Sequence, residues 1–196
     1  MTGSTRSMKY KNKYRIKSIR LIGWDYGGDG GYFVTICAKD RRHFFGEIKR
    51  KRMILFGIGK IAKKFWYEIP DHFSFVILDE FCVMPNHLHG ILFIKKVETQ
   101  NLASVQDKQD FAPLKTVNLQ KKNYKNKFGP QSKNLSSIIR GFKAGVKKYA
   151  TMNKIEFFWQ PRFYDRIIRN EEELSRIRKY IFENHLKWAL NKDNKF

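Results

Sequence analysis

Phe73 to Val83 and His87 to Ile94 constrain this chain more than any other feature. Both runs are apolar and β-rich, and the turn Met84-Pro85-Asn86 separates them, which predicts an antiparallel hairpin. A glycine-rich turn over Gly23 to Gly31 precedes a third β-rich run, Tyr32-Phe33-Val34-Thr35-Ile36-Cys37-Ala38. Phe44 to Ile48 adds a shorter strand, and Phe157-Phe158-Trp159 begins another. Ile58, Ile61, Ala62, Phe65, Trp66 and Ile69 recur at helical spacing, with Pro70 expected to end that helix. Leu135, Ile138, Ile139, Phe142 and Val146 repeat the pattern over Leu135 to Tyr149. Asn170 offers an N-cap, with Glu173 as its capping-box partner, to a last helix that runs to about Trp188. The order β-α-β-β-α-β-α predicts an α+β fold of ferredoxin-like (RRM-like) type, an antiparallel sheet with its helices packed on one face. Residues 1–30 read as a basic arm and 31–196 as a single domain. That domain carries a polar insertion rich in Gln, Asn and Lys at about 97–134.

Charge selects the partner. Forty Lys and Arg stand against 18 Asp and Glu, a net charge of +22. Such an excess repels itself until a polyanion relieves it, which points to nucleic acid. No basic amphipathic helix with a lipid-facing stripe stands out, and no apolar run has transmembrane length, so a membrane is not expected. Phosphate contacts are expected from the arm, including Arg20, and from the patch Lys49, Arg50, Lys51 and Arg52. Arg140 and Lys143 are further candidates, with a solvated helix face as their alternative. The two cysteines, Cys37 and Cys82, lie inside apolar runs and form no CxxC pair. With no signal peptide in view, these features suit the reducing cytoplasm, in association with the nucleoid.

His87-Leu88-His89 carries the chemistry. Residues two apart on a strand point to one face, so the imidazoles project together while Leu88 turns into the core. Two imidazoles on a rigid strand can hold a divalent cation and leave positions open for substrate. On the last helix the stripe Leu174, Ile177, Ile181 and Trp188 marks the buried face. Tyr180 and Asn184, one turn apart, lie at the edge of that face and can look toward the sheet. A tyrosine hydroxyl is a nucleophile once its pKa is lowered, and an Asn carbonyl is a metal ligand.

Together these segments resemble the single-tyrosine transposases of the HUH (His-hydrophobe-His) class, above all the REP-associated group within the IS200-like transposases. The resemblance rests on Ser18-Ile19-Arg20-Leu21, Gly31 to Cys37, Val83-Met84-Pro85-Asn86-His87-Leu88-His89-Gly90 and Ile138 to Lys143. It continues through Trp159-Gln160, Tyr164 to Arg169 and Tyr180-Ile181-Phe182-Glu183-Asn184. It implies that His87, His89 and Asn184 hold Mg²⁺ or Mn²⁺ and that Tyr180 attacks a scissile phosphate. A 5′-phosphotyrosine and a free 3′-OH follow, and reversal joins strands without a nucleotide cofactor. The implied substrates are single-stranded DNA and hairpins at element ends. Tyr164 is expected to be structural or DNA-facing, since no Asn or Gln follows it by one helical turn. Relatives include dimers with the tyrosine helix in trans and forms acting in cis, so a homodimer stays open. A non-catalytic nucleic-acid-binding module and a domesticated, non-mobile nuclease are the alternatives.

Overall fold

The computed structural model describes residues 21, 23–95 and 132–188, with the backbone of two short paired strands, β1 (Lys9–Tyr10) and β2 (Lys13–Tyr14). Arg20 and nearly all of the insertion expected at 97–134 lie outside the described residues. The body runs β3 (Gly30–Cys37), β4 (Gly46–Lys49), β5 (Arg52–Leu55), α1 (Gly57–Tyr67), α2 (Ile69–His72), β6 (Val76–Val83) and β7 (His87–Ile94). It continues α3 (Leu135–Met152), β8 (Tyr164–Ile168) and α4 (Glu171–Trp188). Four strands form one sheet in the order β6-β7-β3-β8, and every neighbouring pair is antiparallel.

Strand alternation divides this sheet between two apolar layers. Tyr32, Val34 and Ile36 of β3 and Leu88, Leu92 and Ile94 of β7 face α1 and α3, where Trp66, Ile138, Phe142 and Val146 complete the main core. Phe33, Ile91, Phe93 and Ile168 face the other way, onto Leu174 and Ile181 of α4. The helices therefore cover both faces of the sheet, not one as expected. The helical stripe of α4 was legible in the sequence, but the face it would cover was not, because β3 and β7 are apolar on both sides. In β6 the register shifts between Leu78 and Phe81, a bulge that sets Cys82 on the α4 side.

Two ion pairs fix α4 on its face. Arg178 grips Asp79 of β6 with two hydrogen bonds, its Nε at 2.9 Å and its NH2 closer still. Arg166 of β8 reaches Glu173 at 2.6 Å. Asn170 caps the helix as expected, accepting from Glu173 N at 2.8 Å. The Glu173 carboxylate does not close the box onto Asn170. It accepts from Arg169 N at 3.0 Å and from Arg166, because the cation next door offers the stronger partner.

Other expectations shift in detail. Phe157 to Trp159 forms no strand: Phe157 is buried in the aromatic cluster with Phe44, Phe45 and Trp159, and Ala38 makes a single bridge to Trp159. The edge strand comes later, at Tyr164–Ile168. The Lys49 to Arg52 patch is the tight turn of the β4–β5 hairpin, with Arg50 and Lys51 at φ 49° and 61°. Helix α1 stops at Tyr67, and Pro70 sits in the first turn of α2, a position that needs no amide proton. Residues 24–30 belong to the body, not to the arm. Trp24 donates to the Tyr32 hydroxyl at 3.0 Å, and Tyr26 stacks on Tyr32 at 5.8 Å. Among the described residues no helix is long and apolar enough to cross a membrane.

Gly90 is where β7 meets α1: a Cβ added there would fall inside the indole of Trp66, which is fully buried. Gly90→Ala is expected to lose about 1–3 kcal/mol of stability through overpacking, read from urea unfolding. An unchanged midpoint contradicts this close approach.

Candidate functional site

Strand β7 and helix α4 bring the predicted residues to one place. His87 and His89 share the α4 face of the sheet, and Leu88 is buried in the opposite layer. Their Nε2 atoms stand 2.9 Å apart. Each ring is held from behind by its other nitrogen. His87 Nδ1 is 2.7 Å from Asn86 Oδ1, and His89 Nδ1 is 2.9 Å from Thr35 Oγ1. An amide oxygen only accepts, so His87 donates from Nδ1 and its Nε2 presents a lone pair. If Thr35 donates to His89, then His89 donates onward to His87. If Thr35 accepts, both Nε2 lone pairs converge on one point, and a cation there satisfies both.

The nucleophile candidate is adjacent. The Tyr180 hydroxyl lies 3.3 Å from His89 Nε2, and its ring meets those of His89 and Phe33 edge-on at 5.2 and 6.0 Å. Phe33 also stacks under His89 at 5.4 Å. Tyr180 keeps 43% of its surface exposed, so substrate can approach it. Asn184 is buried one turn on, beside the Tyr180 hydroxyl and the Cys82 thiol. Its Nδ2 has no hydrogen-bond partner, an unspent polar atom in a buried place. At the other end Trp188 lies between His87 and His43, at ring distances of 5.7 and 5.9 Å.

Burial governs the titrations. It pushes His87 down to about 4, helped by the Arg41 charge, and His89 down to about 2, helped by His87. Both imidazoles are thus neutral and able to ligate at pH 7. Burial raises Tyr180, and it pushes the Cys82 thiol up to about 12.

These residues fit a divalent cation. Two nitrogens bound to one ion at about 2.1 Å and a right angle stand about 3 Å apart, close to the separation seen here. Among the described residues no set of three His, Cys, Asp or Glu converges, so a third protein ligand would be the Asn184 amide.

The basic candidates scatter. Arg50, Lys51 and Arg52 are exposed on the β4–β5 hairpin, and Lys49 pairs with Glu47 at 2.6 Å. Arg140 is exposed on α3, away from the histidine face. Lys143 does not reach outward: its ammonium donates to the carbonyls of Gln160 and Arg162 at 2.7 and 2.8 Å, and burial lowers its pKa. It ties the loop before β8 to α3. Sequence reasoning passed over Thr35 and its contact to His89, and read Asn86 only as part of a turn. A parity argument places Thr35 on one face of β3, but only the register Thr35↔His89 makes it a partner.

No protein-family model matches the chain. A Haemophilus influenzae protein, itself described as uncharacterized, is 37% identical over 174 residues, covering 88% of this chain and 89% of its own. The chain belongs to the family of that protein. Among solved structures, the REP-associated tyrosine transposase bound to a REP hairpin superposes with a TM-score of 0.54 at 16% identity. The match covers 90% of this chain and 77% of that one. The two share a fold.

The neutral histidines generate a pH dependence. In EDTA, unfolded His87 and His89 take up protons near pH 6.5, whereas the folded pair waits until about 4 and about 2. The unfolded state therefore binds more protons below pH 6.5, and stability falls as pH falls, by up to about 1.4 kcal/mol per pH unit for each histidine. His89→Gln is expected to remove close to one proton from that slope in urea titrations between pH 6.5 and 4. An unaltered slope means that His89 is not buried as a neutral ring.

Proposed function

We propose that this protein cleaves and rejoins single-stranded DNA through Tyr180, with a Mg²⁺ or Mn²⁺ ion held by His87, His89 and Asn184, as a transposase of the HUH type on a ferredoxin-like sheet. One observation carries the reading: residues 91 positions apart in the chain put the Tyr180 hydroxyl 3.3 Å from His89 Nε2, in a site where both imidazoles stay neutral. The shared fold with a hairpin-bound tyrosine transposase supports it.

In this reading the Tyr180 oxygen attacks the scissile phosphorus. A Tyr–O–P bond forms and the P–O3′ bond breaks. The phenol proton is lost and the departing 3′ oxygen gains one. When bound, the divalent ion supplies charge that polarises the phosphate and favours the phenolate that burial otherwise opposes. Phe33 and His89 fix the direction of the phenol ring, so the oxygen starts near its line of attack. The bond energy remains in the phosphotyrosine, so a 3′-OH reverses the step and joins strands without ATP. Exposed cations on the β4–β5 hairpin and across the +22 surface hold the phosphate backbone.

Incubation of wild-type protein with Mn²⁺ and a single-stranded hairpin tests the chemistry. A covalent adduct mapping to Tyr180 by mass spectrometry is expected. Tyr180→Phe is expected to lose the adduct, keep DNA binding, and change stability by less than about 1 kcal/mol, since the half-exposed ring stays in place. An adduct formed by Tyr180→Phe, or by wild type in excess EDTA, overturns the assignment.

Binding itself is expected to weaken steeply with salt, because each phosphate neutralised releases counterions. Six to ten contacts imply a loss of about 10³- to 10⁵-fold between 50 and 200 mM salt. Hairpin-bearing single strands are expected to outcompete blunt duplex in the same titration. A flat salt dependence, or equal affinity for both DNAs, counts against this substrate.

A further inference from the structure

The face that carries the histidine pair is covered unevenly. Helix α4 touches β8 through Glu173 on Arg166 and through Leu174 in the apolar layer with Ile168. It then crosses the sheet: Arg178 grips Asp79 of β6, Asn184 sits beside Cys82 of β6, and Trp188 lies against His87. The diagonal leaves one corner of the face open, where β8 begins and β3 ends.

The register says what stands in that corner. Tyr164 pairs with Thr35, Thr35 pairs with His89, and His89 pairs with Cys82. These four residues form one row across β8, β3, β7 and β6, and alternation sets them on the α4 side. The adjacent row under the helix, Phe33 and Ile91, is 8% and 0% exposed, and it continues on β8 to Arg166, whose side chain is taken by Glu173 of α4. In the open row Thr35 is only half-buried, and Tyr164 is 47% exposed at the edge of the sheet. With strands about 4.8 Å apart, Tyr164 lies two strands, about 10 Å, from His89.

An exposed aromatic ring on an antiparallel sheet is a platform for an unpaired base. We propose that Tyr164 stacks the nucleobase neighbouring the scissile phosphate, an assignment that rests on the cleavage reading above. The ligand is a nucleobase of a single strand entering over the β8 edge, with its phosphate directed toward the histidine pair and Tyr180. Stacking uses the π-face, which every base has, so the platform orients the strand without reading its sequence. The Tyr164 hydroxyl has no part in it.

The test uses a DNA hairpin with a single-stranded tail in which a fluorescent adenine analogue is walked one position at a time. Binding is measured in the Tyr180→Phe background, where no cleavage interferes. One tail position is expected to be quenched on binding. Tyr164→Phe keeps the quench, whereas Tyr164→Leu abolishes it and weakens affinity about tenfold. Tyr164→Val, which suits an edge strand and also lacks a ring, serves if the leucine variant melts early. Unchanged quenching and affinity in the ringless variants, or no quenched position at all, overturns the proposal. The two readings fail separately. A wild-type protein that forms no adduct but keeps a Tyr164-dependent quench leaves the platform standing, and an adduct with no such quench leaves only the cleavage reading.

Discussion

The seating of α4 on the second face of the sheet is the constraint on which the site depends. Leu174 and Ile181 bury against Phe33, Ile91, Phe93 and Ile168, and the buried Asp79 carboxylate with Arg178 anchors the middle of the helix. Apolar contact alone would allow the helix to slide along the sheet. A buried carboxylate left without its cation is costly, so the pair selects one register. That register decides which helical residues overlook the strand ends. Tyr180 falls over His89, Asn184 over Cys82, and Trp188 beside His87. A turn more or less would place other side chains over the histidines, and Tyr180 would lose its contact with His89.

The same cover sets the electrostatics. A protein with 22 excess positive charges discourages a bound cation unless the binding site is insulated from them. Here the two imidazoles are roofed by α4 and floored by Phe33, and burial keeps both neutral, so neither adds to the positive field. Thr35 and Asn86 hold the rings by their Nδ1 atoms and leave both Nε2 atoms facing inward. In the proposed reading, the long-range field of the surface draws in a phosphate chain and the neutral imidazoles take a small divalent ion, so the two demands fall at different depths of one molecule.

Much of this was legible in the sequence because it depends on local periodicity. His87 and His89 had to share a face once β7 was a strand, and Tyr180 and Asn184 had to stack once α4 was a helix. The hairpin β6–β7 and the helices α1, α3 and α4 followed for the same reason. What was not legible depends on contacts distant in sequence. Phe157 to Trp159 had the composition of a strand, yet those aromatics fill a cluster with Phe44 and Phe45. Tyr164 to Ile168 is alternating and short, and only its pairing with β3 makes it the edge strand. The bulge that turns Cys82 toward Asn184 leaves no mark in composition. Lys143 looked like a phosphate contact on a helix face until the loop it tethers came into view.

In the proposed reading, the arrangement also separates the work of two tyrosines that composition cannot tell apart. Tyr180 is held on a helix, so its direction is fixed by the whole length of α4 and by the rings of Phe33 and His89. A group that must meet a phosphorus atom in line needs that stiffness, since small displacements of a nucleophile cost large factors in rate. Tyr164 stands at the margin of the sheet with its ring half in solvent, joined to β3 through the backbone ladder. A side chain so placed is poor at directing a bond-forming step but well suited to a flat, sequence-tolerant contact. Tyr180 stands directly over His89, whereas Tyr164 lies at the edge of the same face, two strands away. A strand reaching the pocket across that edge must pass the second tyrosine before it meets the first.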